Sequence, residues 1–424
     1  MKIAVIGTGI AGNVAAYHLS REHDITVFEA GAHIGGHTHT HAVEQAGRVY
    51  NVDTGFIVFN DWTYPNFIRL LDELGVDSQP SAMSFSVRDE QSGLEYNGTS
   101  LNSLFAQRRN LLRPSFWHMI RDILRFNREA PQLLQQPGNE ISLGDYLAGH
   151  RYSREFIDHY VVPMGAAIWS TDPVSMQRFP ARFFVRFFHN HGMLSVDVRP
   201  QWRVIRGGSA RYVEKLTARF RDRIRLNTPV EWVRRLPGQV LIKARGLETE
   251  RFDAVFIACH SDQALKILAD ARPQEREVLG AIPYQRNEAV LHTDTRLLPK
   301  KRLAWAAWNY HVLAQRHAPV ALTYNMNILQ SLDAPTPFLV TLNHSDAIDP
   351  DKIIQRIDYD HPLFTPRGVA AQARQRDING PLDTYFCGAW WRNGFHEDGV
   401  VSALNALEHF GERIHAQRTL SRTG

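Results

Sequence analysis

Cysteine is scarce in this chain of 424 residues, which contains only Cys259 and Cys387. Each lies in an apolar, strand-like run, and the default for such a residue is a small buried hydrophobe. No stretch of eighteen apolar residues occurs, so no segment has the length of a transmembrane helix. The chain enters a strand-like run at once, with no signal-peptide pattern. We therefore predict a cytoplasmic protein without a structural disulfide.

Several motifs of other protein classes are also missing. The sequence has no Walker loop, no paired Cys-x-x-Cys, no His-Glu-x-x-His and no internal repeat, which argues against nucleotide hydrolysis and zinc chemistry. The net charge of +4 and the pI of about 9.0 are too modest to indicate nucleic acid, so no nucleic-acid partner is predicted. An apolar fraction of 44% is ordinary for a globular protein, and the length allows two or three domains.

The chain does contain a dinucleotide-binding pattern at its start. A short apolar run at residues 2–6 predicts a strand, and residues 7–12 (Gly-Thr-Gly-Ile-Ala-Gly) predict a tight turn that opens a helix. Gly7 permits the turn, Gly9 lets the backbone approach a pyrophosphate, and Gly12 lets helix and strand pack closely. Free N–H groups at the helix N-terminus would face the anion.

A second strand at residues 25–28 strengthens this interpretation. It ends at Glu29, the position of a carboxylate that hydrogen-bonds a ribose hydroxyl. Residues 31–38 then bring a second glycine pair, Gly35 and Gly36, toward the same ligand. A glycine-rich turn in an unrelated α/β unit lacks this combination, so we predict an adenine dinucleotide as the ligand.

The order of Glu29, a short gap, Gly35-Gly36 and the basic residue His37 resembles FAD-binding families of the flavin amine oxidase and carotene desaturase type. The resemblance becomes closer over most of the chain. It is similar to the amine-oxidase-like flavoprotein domain at the N-terminus of plant cyclopropane fatty acid synthases and to its stand-alone bacterial relatives. The motifs that carry this similarity are Gly35-Gly36-His37 and residues 53–60, 63–66, 83–87, 103–107, 167–170, 199–202, 338–343 and 394–399.

The resemblance implies an α/β fold in which a discontinuous Rossmann-like FAD-binding domain carries an inserted α+β substrate domain. The FAD-binding parts are expected at residues 1–59, 201–268 and 376–424, and the substrate parts at 60–200 and 269–375. Aromatic residues on predicted strands, Trp305, Trp308 and Tyr310, are candidates for the substrate pocket, although such residues usually serve packing. The apolar stretch 160–170 is either a pocket wall or a buried turn.

The resemblance also implies which residues bind FAD. Where the wider family carries Gly-Glu or Gly-Asp, this chain has Gly388-Ala389, so Asp398 is a candidate for the missing acidic contact. The family's cysteine–tyrosine attachment motif is absent, which predicts non-covalent FAD. The predicted cofactor-binding residues are Gly7, Gly9, Ile10, Ala11, Gly12, Glu29, Ala30, Gly35, Gly36, His37, Thr38, Thr54, Gly55, Phe56, Val230, Gly388, Ala389, Asp398, Gly399, Val400 and Val401.

The implied activity is an FAD-dependent oxidation in which an apolar acyl-chain substrate gives a hydride to flavin N5, linked to modification of membrane fatty acids. His396 and Glu397 are the candidate proton acceptors, with capping as their structural alternative. Electrons would leave to oxygen, a quinone or a partner protein. Two other readings stay open, namely a flavin-containing amine oxidase and a non-catalytic FAD-binding subunit of a cyclopropane synthase-like methyltransferase partner.

Two basic, aromatic stretches suggest a peripheral contact with an anionic membrane at its inner face. In residues 115–128, with Ser115 as the predicted N-cap, Arg121, Arg125 and Arg128 share one helix face. In residues 178–188, arginines recur every four residues among phenylalanines. For each stretch, a core helix with a solvated charged face is the alternative. His37, His39 and His41 alternate like metal ligands, but no metal is predicted beside a dinucleotide turn.

Overall fold

A computed structural model describes residues 1–135, 141–314 and 319–423, with side chains up to residue 415. Parts of the predicted ranges 60–200, 269–375 and 376–424 therefore lie outside the described residues. The described strands form a five-stranded sheet, a seven-stranded sheet and three smaller sheets. In chain order they are β1 (Lys2–Ile6), β2 (Asp24–Phe28), β3 (Thr40–Gln45), β4 (Arg48–Asp53), β5 (Phe59–Asn60), β6 (Ser78–Pro80), β7 (Phe85–Asp89), β8 (Glu95–Asn97), β9 (Trp202–Ile205), β10 (Ile224–Arg225), β11 (Val230–Leu236), β12 (Gln239–Ala244), β13 (Glu250–Phe252), β14 (Ala254–Ile257), β15 (Tyr284–His292), β16 (Trp308–Val312), β17 (Ala321–Asn325), β18 (Leu339–Leu342), β19 (Ile353–Pro362) and β20 (Thr384–Phe386).

Sixteen α-helices lie among the described residues. None of them has an apolar stretch long enough to cross a membrane. They are α1 (Ile10–Leu19), α2 (Pro65–Leu74), α3 (Leu101–Leu104), α4 (Pro114–Glu129), α5 (Leu143–Gly149), α6 (Arg154–Phe156), α7 (Val162–Trp169), α8 (Pro173–Gln177), α9 (Ala181–Asn190), α10 (Ala210–Thr217), α11 (Ser261–Ile267), α12 (Pro273–Leu279), α13 (Met326–Leu329), α14 (Pro366–Gln372), α15 (Gln375–Ile378) and α16 (His396–Thr423).

The five-stranded sheet is parallel and has the order β10-β2-β1-β14-β20. Because side chains alternate along a strand, Ile3 and Val5 of β1 enter one core while Ala4 and Ile6 enter another. Helices α1, α2, α10 and α16 cover the first face, and α11, α12 and the sheet β11–β13 cover the second. This is the predicted Rossmann-like layer, and distant stretches of the chain supply its strands.

The seven-stranded sheet has the order β19-β15-β18-β17-β16-β7-β8, with β16 and β7 parallel and the other neighbours antiparallel. Its strands come from residues 85–97 and 284–362. One face carries apolar side chains such as Leu291, Leu322 and Val340, which join a core with Phe116 and Met119 of α4. This sheet forms one side of a cavity that it shares with the parallel sheet.

The other face of this sheet carries a buried polar row across four strands. His311 Nε2 lies 3.0 Å from Thr323 Oγ1, Thr323 Oγ1 lies 2.8 Å from Thr341 Oγ1, and Thr341 Oγ1 lies 2.7 Å from His292 Nε2. All four residues are buried. Such a row is stable only while each member keeps its partners, because an unpaired buried polar group is costly.

Two helix predictions need correction. Ser115 is not the N-cap that we predicted, since the helix already begins at Pro114 with Arg113 as N-cap, and proline suits the first helical turn. The stretch 178–188 is not one helix, since α8 ends at Gln177 and Pro180 caps α9. Arg178 therefore does not share a helix face with Arg182 and Arg186.

Of the two alternatives for residues 160–170, the pocket wall is confirmed, because Ile168 and Trp169 line the cavity. They lie at the end of a continuous helix, since Pro163 is in its first turn, where a missing N–H costs nothing.

One strand prediction was wrong. Trp305 is not on a strand, since β16 begins only at Trp308, after a 3₁₀ turn at Arg302–Ala304. This turn separates Trp305 from the strand.

The polar row predicts a pH dependence of stability. Burial, and then the nearby charges of His344 and Arg88, lower the pKa of His311 to about 3. Below about pH 6.5 the unfolded chain binds a proton at this residue, whereas the folded chain does not. The contribution of neutral His311 to the free energy of unfolding is therefore complete above pH 6.5 and is lost as the pH falls toward 3. When the pH is lowered from 7 to 5, the free energy of unfolding should fall in both proteins. The fall in His311→Gln should be about 2 kcal/mol smaller than the fall in the parent.

Urea unfolding at both pH values, followed by tryptophan fluorescence, measures this difference. His118→Gln, at an exposed position on α4, serves as the control and should keep the parent's pH dependence. An identical loss of stability in His311→Gln and the parent would contradict the assignment.

Candidate active site

A cavity of about 420 Å³ lies between the parallel sheet and the seven-stranded sheet. The carboxyl ends of β1, β2, β14 and β20 meet on one side, where Gly7, Glu29, Cys259 and Gly388 line the wall. On the other side the wall includes Trp308 of β16 and residues of β17 and β19. The carboxyl ends of parallel strands are the usual ligand-binding edge of such a sheet.

The first glycine loop packs tightly on one side and is open on the other. A Cβ at Gly12 would lie 2.0 Å from Gly7 O, and Gly7 has φ of +103°, so neither position accepts a larger residue without a shift. A Cβ at Gly9 would meet nothing within 4 Å. Gly9 precedes α1, so the open space faces the free N–H groups of a helix N-terminus.

The second glycine pair approaches this loop directly. A Cβ at Gly36 would lie 3.0 Å from Gly9 Cα, and Gly36 has φ of +59°. Gly35 has φ of +135°, and its N–H donates to Thr8 Oγ1 at 3.3 Å. The two loops therefore form one backbone cradle beside the N-terminus of α1.

Glu29 closes the end of the cradle. Its Oε2 accepts the N–H of Thr8 at 2.8 Å, and its Oε1 accepts the N–H of Gly31 at 2.7 Å. Val230 and Thr228 line the wall beside it, and the N–H of Thr228 donates to the carbonyl of Glu29. A carboxylate beside the glycine loop is the arrangement that binds a ribose hydroxyl.

His396, the first residue of α16, lines the cavity on the same side. Its ring stacks on Phe56 with centroids 3.4 Å apart, and its Nε2 lies 2.8 Å from Tyr212 Oη and 3.0 Å from Thr38 Oγ1. Burial lowers the pKa of His396 to about 3, so the ring is neutral at pH 7. The ring and its partners form a buried polar group within an apolar wall.

The sequence was compared with models of known protein families. Residues 10–305 match the family described as flavin containing amine oxidoreductase, which is more than half of the chain. The chain belongs to this family. A search among curated proteins gave no match.

Solved structures share the flavin amine oxidase fold over almost the whole length. Cyclohexylamine oxidase from Brevibacterium oxydans IH-35A has a TM-score of 0.71 at 17% identity, with 98% of this chain and 99% of that chain covered. Wild-type putrescine oxidase bound to putrescine has a TM-score of 0.65 at 15% identity, with 97% and 99% covered. The CLA-producing fatty acid isomerase from P. acnes has a TM-score of 0.67 at 16% identity, with 96% and 98% covered.

The protein is thus an FAD-dependent oxidoreductase, and the wall of its cavity fits that cofactor. The space at Gly9 gives a pyrophosphate access to the backbone. His37 also lines the cavity, and its buried Nε2 has no hydrogen-bond partner among the described residues. A bound FAD phosphate or ring polar atom would satisfy it. When bound, FAD supplies a two-electron oxidant that accepts a hydride.

The structure brings most of the predicted cofactor residues to the cavity wall and leaves others behind it. Those that line the cavity are Gly7, Gly9, Ile10, Ala11, Glu29, Ala30, Gly35, Gly36, His37, Gly55, Phe56, Val230, Gly388 and Ala389. Those behind the wall are Gly12, Thr38, Thr54, Asp398, Gly399, Val400 and Val401. In the second group, Thr54, Asp398 and Gly399 make contacts that hold the elements carrying the first group.

The contacts of Thr54, Asp398 and Gly399 are with the backbone or side chains of neighbouring elements. Thr54 Oγ1 donates to the carbonyl of His39 at 3.1 Å, and Asp398 Oδ2 accepts the N–H of Phe395 at 2.9 Å, which closes the turn before α16. Burial raises the pKa of Asp398 to about 6. A Cβ at Gly399 would lie 2.5 Å from Ile10 Cγ2, so this glycine lets α16 pack against α1.

Glu397 occupies a place that we did not expect for a proton acceptor. Its Oε2 accepts the N–H of Phe67 at 2.8 Å, and its Oε1 accepts the N–H and the side-chain amide of Asn66 at 3.1 and 2.6 Å. These groups belong to the first turn of α2, so Glu397 caps that helix. It does not line the cavity, and we do not retain it as a proton acceptor.

The histidines at 37, 39 and 41 do not share a strand face. His37 precedes β3 and stacks with Tyr359 at 4.9 Å, whereas His39 lies against His41 at 4.1 Å. Burial, and then the neighbouring His361 and His260, lower the pKa of His37 well below its ordinary value. Among the described residues no three potential ligands are grouped to hold a metal ion.

Several wall residues were missed from the sequence. Cys259 and His260 directly follow β14, so the carboxyl-end rule would have found them once that strand was placed next to β1. Asp360 and His361 of β19 give no local sequence signal. Of the aromatic candidates for the substrate pocket only Trp308 lines the cavity, since Trp305 lies next to the 3₁₀ turn and Tyr310 is in the core.

Two glycine variants should separate cofactor binding from folding. Gly9→Ala adds a methyl group to open cavity space, so we expect the free energy of unfolding of the flavin-free protein to stay within about 0.5 kcal/mol. We expect its FAD affinity to fall at least about tenfold, or about 1.4 kcal/mol. Gly12→Ala forces a Cβ into Gly7 O and should lower the free energy of unfolding by about 1–3 kcal/mol.

Urea unfolding and FAD titration of the stripped protein measure both effects. If Gly9→Ala bound FAD as tightly as the parent, the cradle would not be the pyrophosphate site.

Proposed function

We propose that the chain oxidises an uncharged, apolar acyl-chain substrate of lipid origin by removing two hydrogen atoms. The observation that carries this proposal is the composition of the cavity wall away from the glycine cradle. That part of the wall is dominated by aliphatic and aromatic residues: Ile57, Val58, Ile168, Trp169, Trp308, Tyr324, Phe364 and Phe395. Such a wall favours apolar ligands, because it removes hydrocarbon surface from water.

The titratable side chains in this wall add little charge. Burial lowers the pKa of His396 to about 3 and of His361 to about 4, and also lowers the pKa of His260, so the imidazoles are neutral at pH 7. Burial raises the pKa of Tyr284 above its ordinary range. A charged substrate would lose its hydration here with few partners to replace it.

The residues near the apolar wall can take the proton that must leave with the hydride. A carbon–carbon single bond that gives up a hydride to oxidised FAD and a proton to a base becomes a double bond. His396 is our candidate base, because its imidazole lines the cavity, stacked on Phe56. Its contacts with Tyr212 and Thr38 hold the ring in place. The electrons would then pass to oxygen, a quinone or a partner protein.

An amine oxidase is the second candidate, and one residue favours it. Asp360 lines the cavity and is the carboxylate of the wall outside the glycine cradle, where it could pair with an ammonium group. The solved amine oxidases share the fold, and so does the fatty acid isomerase, so the fold accommodates both substrate classes.

Anaerobic reduction of the bound flavin distinguishes the substrate classes. The holoenzyme is mixed with an uncharged lipid, methyl oleate, in detergent, with cyclohexylamine or with putrescine, and the visible flavin absorption is followed. We expect bleaching by the lipid and a product that has lost two hydrogens by mass spectrometry. Bleaching by the amines alone, abolished in Asp360→Asn, would overturn the proposal in favour of an amine oxidase. Bound flavin that neither class reduces would overturn it in favour of a non-catalytic subunit.

The role of His396 has its own test. His396→Ala should keep FAD bound and slow lipid-dependent flavin reduction by about 100-fold or more. Tyr212→Phe keeps the imidazole but removes one of its hydrogen bonds, so it should slow the reaction much less. Stopped-flow reduction of the holoenzyme measures both rate constants. A rate in His396→Ala equal to that of the parent would exclude His396 as the base.

A further inference from the structure

An unusual group of apolar side chains faces solvent on the side of the molecule formed by α3 and the start of α4. We name it the Leu112 surface, and it consists of Leu101, Leu111, Leu112, Trp117 and Leu303. Leu112 is 88% exposed and Leu101 is 78% exposed, while the other three are exposed by between 43 and 47%. Single exposed leucines are common on proteins, but a contiguous group marks an interaction site.

Local contacts hold the Leu112 surface in one piece. Arg108, in the 3₁₀ turn Arg108–Leu112, donates to the carbonyl of Phe105 at 3.0 Å and to Asn102 Oδ1 at 2.6 Å. Trp117 Nε1 donates to the carbonyl of Leu111 at 2.9 Å, and α3 packs against the turn that carries Leu303. These contacts fix α3, the 3₁₀ turn and the start of α4 relative to one another, and the leucines project from this platform.

Positive charge surrounds this platform. Residues 98–121 contain no aspartate or glutamate. Arg108, Arg109, Lys300, Lys301 and Arg302 are all exposed. In the described part of the chain, none of these five cations forms an ion pair with a carboxylate. Their charge is available to an external anion.

We propose that the Leu112 surface docks on an anionic phospholipid bilayer. Protruding leucines and a tryptophan would enter the boundary between headgroups and acyl chains, and the surrounding arginine and lysine side chains would meet the phosphates. A neutral apolar partner would leave these cations unpaired, so the charge complementarity favours an anionic membrane. This inference goes beyond the proposed function and stands on separate observations.

The position of the Leu112 surface is relevant to a lipid substrate. Phe105, Phe116 and Met119 lie beneath it and belong to the same core as Ile57, which lines the cavity. The other stretch that we considered from the sequence, residues 178–188, does not contribute, because Phe184, Phe187 and Phe188 are buried in the helical core. The phenylalanines of this stretch are therefore not part of the docking surface.

Vesicle co-sedimentation of the holoenzyme tests the proposal. The vesicles are phosphatidylcholine alone, or equal parts of phosphatidylcholine and phosphatidylglycerol. We expect binding to the anionic vesicles, weakened by added salt, and little binding to the neutral ones. Leu112→Asp should weaken binding about tenfold. The triple variant Lys300→Gln/Lys301→Gln/Arg302→Gln should weaken it on the order of 100-fold, or about fivefold per charge.

Two matched controls separate this surface from general effects. Val198→Asp changes another exposed apolar residue, which is 63% exposed, and Arg219→Gln/Arg234→Gln/Arg251→Gln removes three exposed charges, two of them from the sheet β11–β13. Both controls should bind like the parent, and all variants should retain flavin absorption and circular dichroism. No binding by the parent, equal binding to neutral vesicles, or an equal loss in the controls would overturn the proposal. The flavin-reduction assay in detergent needs no docking, so the two proposals fail independently.

Discussion

The contact between Gly12 and the carbonyl of Gly7 is the constraint on which the rest of the structure depends. No side chain fits there, since a Cβ at Gly12 would also lie 3.1 Å from Ala258 Cβ after β14. Helix α1 can therefore lie directly against the carboxyl ends of β1 and β14. That position aims its N-terminus into the cavity, and every other element of the cofactor site is placed relative to it.

The three separated parts of the chain that meet here do so through small residues. Gly36 lies against Gly9 from one side, and Gly399 lies against Ile10 from the other. A close approach of backbones is possible only where side chains are absent, and the spacing of these glycines is visible in the sequence. For this reason the parallel sheet and the glycine cradle could be predicted from the sequence.

The substrate side could not be predicted in the same way, because it depends on how the strands of the seven-stranded sheet face the cavity. Trp305 and Trp308 look equivalent in the sequence, yet a three-residue turn puts only Trp308 in the wall. The partners of His396 are similarly hidden, since Thr38 and Tyr212 lie 358 and 184 residues away along the chain. The capping role of Glu397 is hidden in the same way, because Phe67 of the capped helix lies 330 residues earlier in the chain. In the sequence alone, Glu397 therefore looked like a reactive carboxylate.

The capping of α2 by Glu397 has a mechanical consequence. Glu397 is covalently next to His396, and Phe67 of α2 packs against the His396 ring with centroids 5.5 Å apart. The amino end of α2 is thus attached to the start of α16 twice, by hydrogen bonds to Glu397 and by the ring contact with His396. Because both attachments meet at two consecutive residues, the placement of α2 and the placement of the imidazole in the cavity wall depend on each other.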